Sequence, residues 1–330
     1  MKKIRWGILG CGHIAKKFAS DLQYVEGAEL IAAGSRSRLV ADEFSKEFSV
    51  AHSHGSYESL VNDDEVDVIY VASPHGLHHE HVMLCLQHKR AVLCEKAFAI
   101  NSKQAKEMIE TARKENVFLM EALWSKFTPQ HQIVQKMIKD GDLGEIMSVL
   151  VHFGFKPEAP FSKRLFDPAL GGGTLLDIGI YNVFMVLSVL GRPDFVEANM
   201  KPASTGIDEQ CAATFRYNDG KIAQLFSTFL SNLATEADIN GTKARIRMTP
   251  RFYNPTTAHI EFYPGRFDPM QIIAHHKEPG FGYQYQARHV CDCLRQGITE
   301  SPIMTHADTL LIMETLDRIR ASAGIHYDAD

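Results

Sequence analysis

A strand, a glycine turn and the start of a helix follow one another within the first fifteen residues. The apolar run at residues 4–9 precedes the hexapeptide GCGHIA at residues 10–15, which is a G-x-G-x-x-A pattern. Gly10 allows the tight turn, Gly12 lets a ligand approach the backbone, and Ala15 lets the helix pack closely on the strand. Free N–H groups and the dipole at a helix N-terminus favour phosphate. The pattern therefore predicts a dinucleotide site with contacts from Gly10, Gly12, His13 and Ile14; a purely structural tight turn is the alternative.

The end of the second predicted strand indicates which dinucleotide is bound. An NAD site usually has Asp or Glu about 20 residues after the glycines, where it binds the ribose 2′-hydroxyl. Here residues 35–38 are Ser-Arg-Ser-Arg. A guanidinium pairs well with a 2′-phosphate, and this segment has no carboxylate to repel one. We therefore expect Ser35, Arg36 and Arg38 to bind NADP, with NAD the less favoured cofactor; a solvated arginine at a helix start is the alternative.

Length and composition restrict the class of protein. With 330 residues, 45% of them hydrophobic and 23% charged, the chain is expected to form two globular domains. A net charge of −5 argues against nucleic-acid and anionic-membrane surfaces. We expect no signal peptide and no apolar stretch of membrane-spanning length. The six cysteines follow no disulfide framework, so we expect reduced thiols in a cytoplasmic protein.

The chain changes its pattern near residue 122. Up to that point strands and helices alternate, which predicts a doubly wound parallel sheet of the α/β class in a domain at residues 1–122. Beyond it, longer alternating strands with few helices between them predict an α+β domain at 123–330, built on an open and mostly antiparallel sheet. The predicted later strands are 66–72, 91–95, 117–120, 146–155, 210–216, 222–230 and 234–240. The predicted helices are 77–88, 102–115, 129–140, 283–296 and 306–323.

Polar side chains follow two of the predicted parallel strands. Ser73 and His75 come after one, and Glu95 and Lys96 come at the end of the next. Ligands bind beyond the carboxyl ends of such strands, so we assign these four residues to the cofactor site, with Lys96 within reach of substrate as well. An ordinary surface lysine is the alternative. The histidine-rich run at 75–81 resembles a metal cluster, but its spacing scatters the side chains over several helix faces, and no metal site is predicted there.

Several longer motifs resemble those of one family. The segments GILGCGHIA, VIYVASPHGLHHEH, the EK after AVLC, LMEALWSKFTP and GGGTLLDIGIYNV are similar to the Gfo/Idh/MocA oxidoreductases. Two of these segments, MEALWSKFTP and GGGTLLDIGIY, are most similar to the branch that includes dimeric dihydrodiol dehydrogenases and NADP-dependent D-xylose dehydrogenases. The resemblance extends over nearly the whole chain. It implies a Rossmann domain followed by an α+β domain whose open sheet often forms an oligomer interface.

The resemblance also assigns roles to single residues. Lys96 matches the lysine of the family's Glu-Lys-Pro motif, which contacts cofactor and substrate. Tyr181 matches the tyrosine that transfers the proton in this branch, and Asp177 matches the acidic residue before it. Residues 177 and 181 are four apart, so on an α-helix they share a face, and the preceding glycines 171–173 were expected to allow close approach of a ligand. The chain departs from the family at Ala97, where proline is usual, which puts the placement of Lys96 in question.

Aromatic residues are candidates for the substrate wall. Trp124 and Phe155, with Phe127 and Phe153, are expected to form an apolar surface of the kind that lines sugar and aromatic-diol sites, although plain core packing is the alternative for each. Arg164 precedes the glycine run and is a candidate substrate contact.

These observations lead to one functional hypothesis. The chain is expected to be an NADP-dependent oxidoreductase of a sugar or cyclic diol, with Tyr181 as general acid–base. Lys96 and the oxidised nicotinamide ring are the cations available to lower its pKa. A homodimer formed through the open sheet is expected. The alternatives are a redox-neutral nicotinamide-dependent glycosidase and a non-enzymatic sensor that binds the cofactor.

Overall fold

The computed structural model describes residues 2–158, 162–255 and 259–330. The chain forms two compact units, one comprising residues up to Trp124 together with 279–310, the other comprising 125–278 and 311–330. The domain assignment from the sequence placed everything after residue 122 in the second domain. The structure packs 279–310 with the first unit, a return of the chain that no local pattern indicates.

The first unit contains a six-stranded sheet in which every described strand pair is parallel. The strand order is β3-β2-β1-β4-β5-β6, so the doubly wound prediction is confirmed. Strands β4, β5 and β6 are buried along their whole length, as expected where both faces of a sheet are covered. The strands are β1 (Ile4–Leu9), β2 (Ala28–Gly34), β3 (His52–His54), β4 (Val68–Val71), β5 (Ala91–Glu95) and β6 (Leu119–Ala122).

The helices of this sheet connect its strands. They are α1 (His13–Leu22), α2 (Arg38–Phe48), α3 (Tyr57–Val61), α4 (His78–Gln87) and α5 (Ser102–Glu115). The observed α5 has its predicted bounds because both ends are encoded locally. The Asn101 side chain accepts a hydrogen bond from the Gln104 N–H, and Asn116 ends the helix in the left-handed conformation.

The second unit is built on an eight-stranded sheet of order β14-β13-β12-β11-β7-β10-β9-β8. Among the described strand pairs only β7 and β10 run parallel, which confirms the mostly antiparallel prediction. Its strands are β7 (Ile146–Gly154), β8 (Phe195–Pro202), β9 (Asp208–Arg216), β10 (Ile222–Thr228), β11 (Ala237–Gly241), β12 (Arg245–Met248), β13 (Ile260–Tyr263) and β14 (Gln271–Ile273).

Three helices accompany this sheet: α6 (Pro129–Asp140), α7 (Ser162–Leu165) and α8 (Ile180–Leu190). The helical stretch Pro168–Leu190 is long and apolar enough to cross a membrane, so the expectation that no stretch reaches that length was wrong. Some 72% of its most apolar window is buried inside the protein. Helix α8 packs against β7 and β10, and the hydrophobicity of this segment therefore serves the core of the second unit.

The last two helices are α9 (Tyr283–Gln296) and α10 (His306–Ala323). Helix α9 packs on α1, and the Asp21 carboxylate of α1 accepts hydrogen bonds of 2.8–3.0 Å from the backbone N–H groups of Phe281, Gly282 and Tyr283. An acidic side chain from a distant helix thus caps the start of α9. This contact explains why residues 279–310 belong to the first unit.

Candidate active site

The glycine turn after β1 has the geometry that a dinucleotide site requires. Gly10 has a φ of +96°, and its N–H donates to the Gly34 carbonyl at 2.9 Å. A Cβ at this position would lie 3.2 Å from the backbone carbonyl of Ala72. Both the backbone conformation and the space therefore require glycine here.

The start of α1 is open. Gly12 caps the helix without a side-chain hydrogen bond, and a Cβ added to Gly12 would meet nothing within 4 Å. The first N–H groups of α1, including those of His13 and Ile14, therefore face space that a pyrophosphate can occupy. These features fit the nicotinamide dinucleotide that the pattern predicts.

Arg36 lies on an exposed segment after β2, beside two residues that the sequence analysis did not select. Burial raises the pKa of Tyr57 and the nearby Arg36 guanidinium opposes that shift, whereas burial and Arg36 together lower the pKa of His81 to about 4. The rings of Tyr57 and His81 meet edge to face at 4.6 Å. Tyr57 follows the edge strand β3, so its position beyond a strand end was the signal that could have identified it.

The other two cofactor candidates in this segment, Ser35 and Arg38, have local hydrogen-bond partners. Arg38 Nε lies 3.0 Å from Asp42 Oδ1, one turn along α2, and the Ser35 hydroxyl accepts a hydrogen bond from the Ser37 N–H at 3.3 Å. Arg36 also has a neighbouring hydrogen-bond partner, the side chain of Tyr57.

Ser73 and His75 are buried beyond β4, and His78 joins this loop to the one after β5. The His78 Nε2 lies 2.7 Å from the Ser73 carbonyl and its Nδ1 lies 2.7 Å from the Ala97 carbonyl. Complete burial lowers the pKa of His78 to about 4. His81 Nδ1 contacts the Ser73 hydroxyl, so His78 and His81 both meet Ser73, whereas His79 contacts Glu107. The predicted scatter of the side chains is therefore observed for His79 and not for His78 and His81.

Glu95 is the last residue of β5 and Lys96 follows it, at the same edge of the sheet as the loop after β4. Glu95 is buried, accepts a short hydrogen bond from the Tyr70 hydroxyl and accepts another from the Lys96 N–H at 3.2 Å. The Lys96–Ala97 peptide bond is cis. Lys96 is half-buried, while Ala97 is buried and held through its carbonyl by His78.

Trp124 belongs to the first unit and is 3% exposed. Its indole stacks on the Tyr283 ring with centroids 4.6 Å apart and planes 21° apart. Most of the Trp124 side chain is therefore packed in the core of the first unit, which was the alternative to a role in the substrate wall.

The catalytic candidates of the second unit follow the glycines at 171–173, and other atoms of the protein occupy the space beside Gly172 and Gly173. Gly173 has a φ of +115°, and a Cβ there would lie 2.3 Å from Asp208 Oδ1, while one on Gly172 would lie 2.6 Å from the Leu165 carbonyl. The expectation that these glycines admit a ligand was wrong at positions 172 and 173. They are small because the chain's own atoms pack against them.

The side chain of Asp208, on β9, binds the start of the helical segment that carries these candidates. Its Oδ2 accepts hydrogen bonds from the Thr174 hydroxyl at 2.6 Å and the Leu175 N–H at 2.7 Å. Asp208 is completely buried, and desolvation raises its pKa to about 6 despite these hydrogen bonds. The start of the segment is thus fixed by a residue far away in the sequence.

Asp177 and Tyr181 lie on this segment. Residues Leu175–Gly179 form a π-helical turn, and Tyr181 is in the first turn of α8, so the ideal α-helical spacing assumed from the sequence does not hold between them. Such π-helical turns occur often at functional sites. Arg164 Nη2 lies 2.8 Å from Asp177 Oδ1, so this predicted substrate contact is paired with a catalytic candidate.

An aromatic cluster surrounds the Tyr181 ring, which is 6% exposed. The centroid of the Tyr253 ring is 4.9 Å away and that of Phe153 is 5.9 Å away. Phe153 stacks on Tyr253 at 4.7 Å and also contacts Phe155 at 6.4 Å. Tyr253 lies in an irregular segment without periodicity, which is why sequence reasoning missed it. These rings account for much of the burial of the phenol ring of Tyr181.

Two family profiles match the chain. Residues 4–123 match a profile described as an oxidoreductase family with an NAD-binding Rossmann fold, and residues 131–247 match the GFO/IDH/MocA C-terminal domain.

Curated relatives match over the full length. The chain is 35% identical to the trans-1,2-dihydrobenzene-1,2-diol dehydrogenase of Xenopus tropicalis, covering 98% of this chain and 99% of that one. It is 31% identical to the human protein of the same name, with 99% of each chain covered.

Solved structures are similar as well. A 3-ketoreductase from Actinomadura kijaniata, in complex with NADP and TDP-benzene, matches with a TM-score of 0.88 at 26% identity and 98% coverage of both chains. An aldose-aldose oxidoreductase from Caulobacter crescentus matches with a TM-score of 0.89 at 21% identity and the same coverage, which shows the shared fold.

Proposed function

Because the chain belongs to the Gfo/Idh/MocA oxidoreductase family, we propose that it is an NADP-dependent dehydrogenase of a sugar or cyclic diol. One observation carries this proposal: a single chain holds both an open dinucleotide turn at α1 and a helical segment on which Tyr181 follows the Asp177 that pairs with Arg164. The names of the full-length relatives, which act on a cyclic diol, support the substrate class.

The roles of the residues follow from their chemistry. The glycine turn at the start of α1 would hold the dinucleotide, which would supply hydride-transfer chemistry at the carbon that bears the substrate hydroxyl. Tyr181 transfers the hydroxyl proton, and because a phenol has a pKa of about 10, a cation must lower that value. Lys96 supplies the positive charge and binds the nicotinamide ribose. Asp177, held by Arg164, orients the substrate hydroxyl.

NADP is the proposed cofactor in preference to NAD. Arg36 is exposed beyond β2, and the polar groups of Tyr57 and His81 lie beside it. A 2′-phosphate has the charge and the acceptors to bind these three side chains together. Ser35 and Arg38 would complete the rim of this phosphate pocket.

Aromatic rings are proposed to select the substrate. Phe155 and Phe153 belong to the cluster around Tyr181. Trp124 is 3% exposed and stacks on Tyr283, so its contribution is limited to a small accessible edge. Such surfaces suit the C–H faces of a sugar or cyclic diol, while Asp177 and Tyr181 bind its hydroxyl groups.

A homodimer formed through the second sheet is also proposed. Leu150 of β7 and Ile222 of β10 lie on the same face of that sheet and are 43% and 44% exposed, and Phe195 of β8 on this face is 51% exposed. Apolar side chains exposed in this way favour a covering partner.

A reducing, cytoplasmic location is proposed as well. All six cysteines are free thiols, which supports it.

A substrate screen tests the proposal. The full-length protein is incubated with aldoses, inositols and cyclic diols, each with NADP and with NAD, and the absorbance of the reduced nicotinamide is followed. We expect stoichiometric NADPH formation with at least one free sugar or diol. Cleavage of a glycoside without net NADPH formation, or no turnover at all, would contradict the dehydrogenase assignment.

A further inference from the structure

Two histidines of the edge strand β3 meet an aspartate that follows helix α3. His52 and His54 are two residues apart on this strand and so point to the same side. His52 Nδ1 lies 2.6 Å and His54 Nε2 lies 3.0 Å from the same atom, Oδ2 of Asp63. Among the residues that the structure describes, these three form the one group of His, Cys, Asp or Glu side chains whose possible ligand atoms all lie within 4.8 Å of one another.

Neighbouring groups hold two of these side chains in place. The outward nitrogen of His54, Nδ1, lies 2.7 Å from the Ser59 hydroxyl, and Asp63 Oδ1 accepts a hydrogen bond from the Glu65 N–H at 3.1 Å. Metal-binding imidazoles and carboxylates are typically oriented by such outer contacts. His52 Nδ1 and His54 Nε2 both contact Asp63 Oδ2, so one potential ligand atom of each residue lies within the cluster.

The cluster offers two imidazole nitrogens and one carboxylate oxygen. Imidazole and carboxylate are ligand types that zinc and similar divalent transition ions accept.

We propose that His52, His54 and Asp63 form a binding site for a divalent transition-metal ion of the zinc type. Ligand atoms around a tetrahedral zinc ion are separated by roughly 3.3 Å, given metal–ligand distances of about 2.0–2.2 Å. The observed separations of 2.6 and 3.0 Å need to open by less than an ångström. The side chain of His52 is 34% exposed, so the ion can enter from solvent and keep a fourth position for water.

The site is separate from the proposed catalytic residues but lies close to the cofactor segment. The His54 carbonyl accepts a hydrogen bond of 3.1 Å from the N–H of Ser35. An ion bound here would brace β3 against the loop that contains Asp63. Since no catalytic candidate is a ligand, metal binding can be measured whether or not the dehydrogenase assignment holds.

Cobalt(II) is the probe that tests this site. The full-length protein is treated with a chelator, dialysed and titrated with Co²⁺, whose visible absorption reports coordination by protein ligands, and Zn²⁺ is then added in competition. We expect one Co²⁺ per chain, displacement by Zn²⁺ and no displacement by Mg²⁺, which prefers oxygen ligands. His52→Ala and Asp63→Asn should each weaken Co²⁺ binding by at least about tenfold, and Ser59→Ala by about ten- to a hundredfold.

His79→Ala is the matched control. The His79 side chain is 27% exposed and lies 2.9 Å from Glu107, so it is a histidine–carboxylate pair of similar exposure outside the cluster. This variant should bind Co²⁺ as the wild type does. Equal affinity of His52→Ala, His79→Ala and the wild type, or an absence of the absorption band, would overturn the proposal and leave only a hydrogen-bonded cluster. If Asp63→Asn fails to fold, the partly exposed His52 still decides the question, with circular dichroism as the check on folding.

Discussion

The guanidinium of Arg164 lies 2.8 Å from the carboxylate of Asp177, on the helical segment that carries Tyr181. The Asp177 side chain is only 12% exposed, whereas that of Arg164 is 40% exposed. The arginine therefore works from the solvent side, holding a nearly buried carboxylate in one orientation. This makes Arg164 a positioning residue for Asp177 under the proposed mechanism.

Replacing Arg164 should lower the rate more than it weakens cofactor binding. Arg164→Gln removes a charge-assisted hydrogen bond, worth about 1.5–3 kcal/mol when shielded and less at this exposure, so we expect turnover to fall by about tenfold. Steady-state kinetics with the best substrate, and NADP titration by fluorescence, measure the two effects. Lys163→Gln, a change at the exposed neighbouring residue, is the control. An unchanged rate in Arg164→Gln would mean that the pair has no role in turnover.

Tyr181→Phe should abolish most activity while the cofactor still binds. The change removes one oxygen and keeps the ring that packs on Tyr253 and Phe153. General acid–base catalysis contributes about 10²–10⁴-fold, so turnover should fall by that factor and the NADP dissociation constant should barely change. The pH profile of the wild type should show an apparent pKa well below 10 that the variant lacks.

Two further variants interpret that result. Lys96→Met should weaken both turnover and NADP binding, because it removes a ribose contact as well as a charge. Tyr253→Phe keeps the neighbouring ring and should leave turnover near the wild-type value. If Tyr181→Phe kept wild-type turnover and Tyr253→Phe lost most of it, the role of general acid–base would belong to Tyr253 instead of Tyr181.

Arg36→Ala should change cofactor preference. Only NADP has the 2′-phosphate, so its affinity should fall by roughly ten- to a hundredfold while that of NAD changes little. Arg38→Ala is the matched control, because Arg38 pairs with Asp42 along α2 and should have a smaller effect. Isothermal titration with both cofactors measures the difference. Equal affinity of the wild type for NADP and NAD would rule out this prediction.

Asp208→Asn should alter how stability depends on pH. Burial raises the pKa of Asp208 from 3.8 to about 6, so the native state binds this proton more tightly than the unfolded state does. The resulting stabilisation is complete below about pH 4 and is lost as the pH rises through 6. Relative to the variant, the wild type should therefore lose up to about 3 kcal/mol between pH 4 and 7. Urea unfolding at both pH values measures this, and a pH-independent difference between the two proteins would contradict it.

Leu150→Glu should dissociate the proposed dimer. It places a charge in the middle of the exposed face of the second sheet, where desolvation on association would be costly. Light scattering should give the mass of a dimer for the wild type and that of a monomer for the variant. Glu197→Gln, a change on β8 that adds no charge, should leave the dimer intact. A wild-type monomer at assay concentrations would remove the basis for this interface.

Local signals made several elements predictable within a residue. Helix α6 has Pro129 at its first position, and Gly141, with a φ of +78°, caps it directly after its last residue, Asp140. Both ends can therefore be identified in the sequence. The strand β3 was missed because His-Ser-His contains no apolar residue. Its pairing with β2 is a long-range contact that no short window reveals.

Local patterns in the sequence predicted the class of both sheets and the glycine turn, and the family resemblance supplied Asp177, Tyr181 and the catalytic role of Lys96. Periodicity and turn residues are local properties, and they are present before the chain folds. Only the tertiary structure decided that Asp208 starts the helical segment of Tyr181, that Tyr253 packs on its ring and that Arg164 pairs with Asp177. Those contacts join residues from separate elements. Their energies come from burial and from hydrogen bonds that exist only once the strands and helices have packed together.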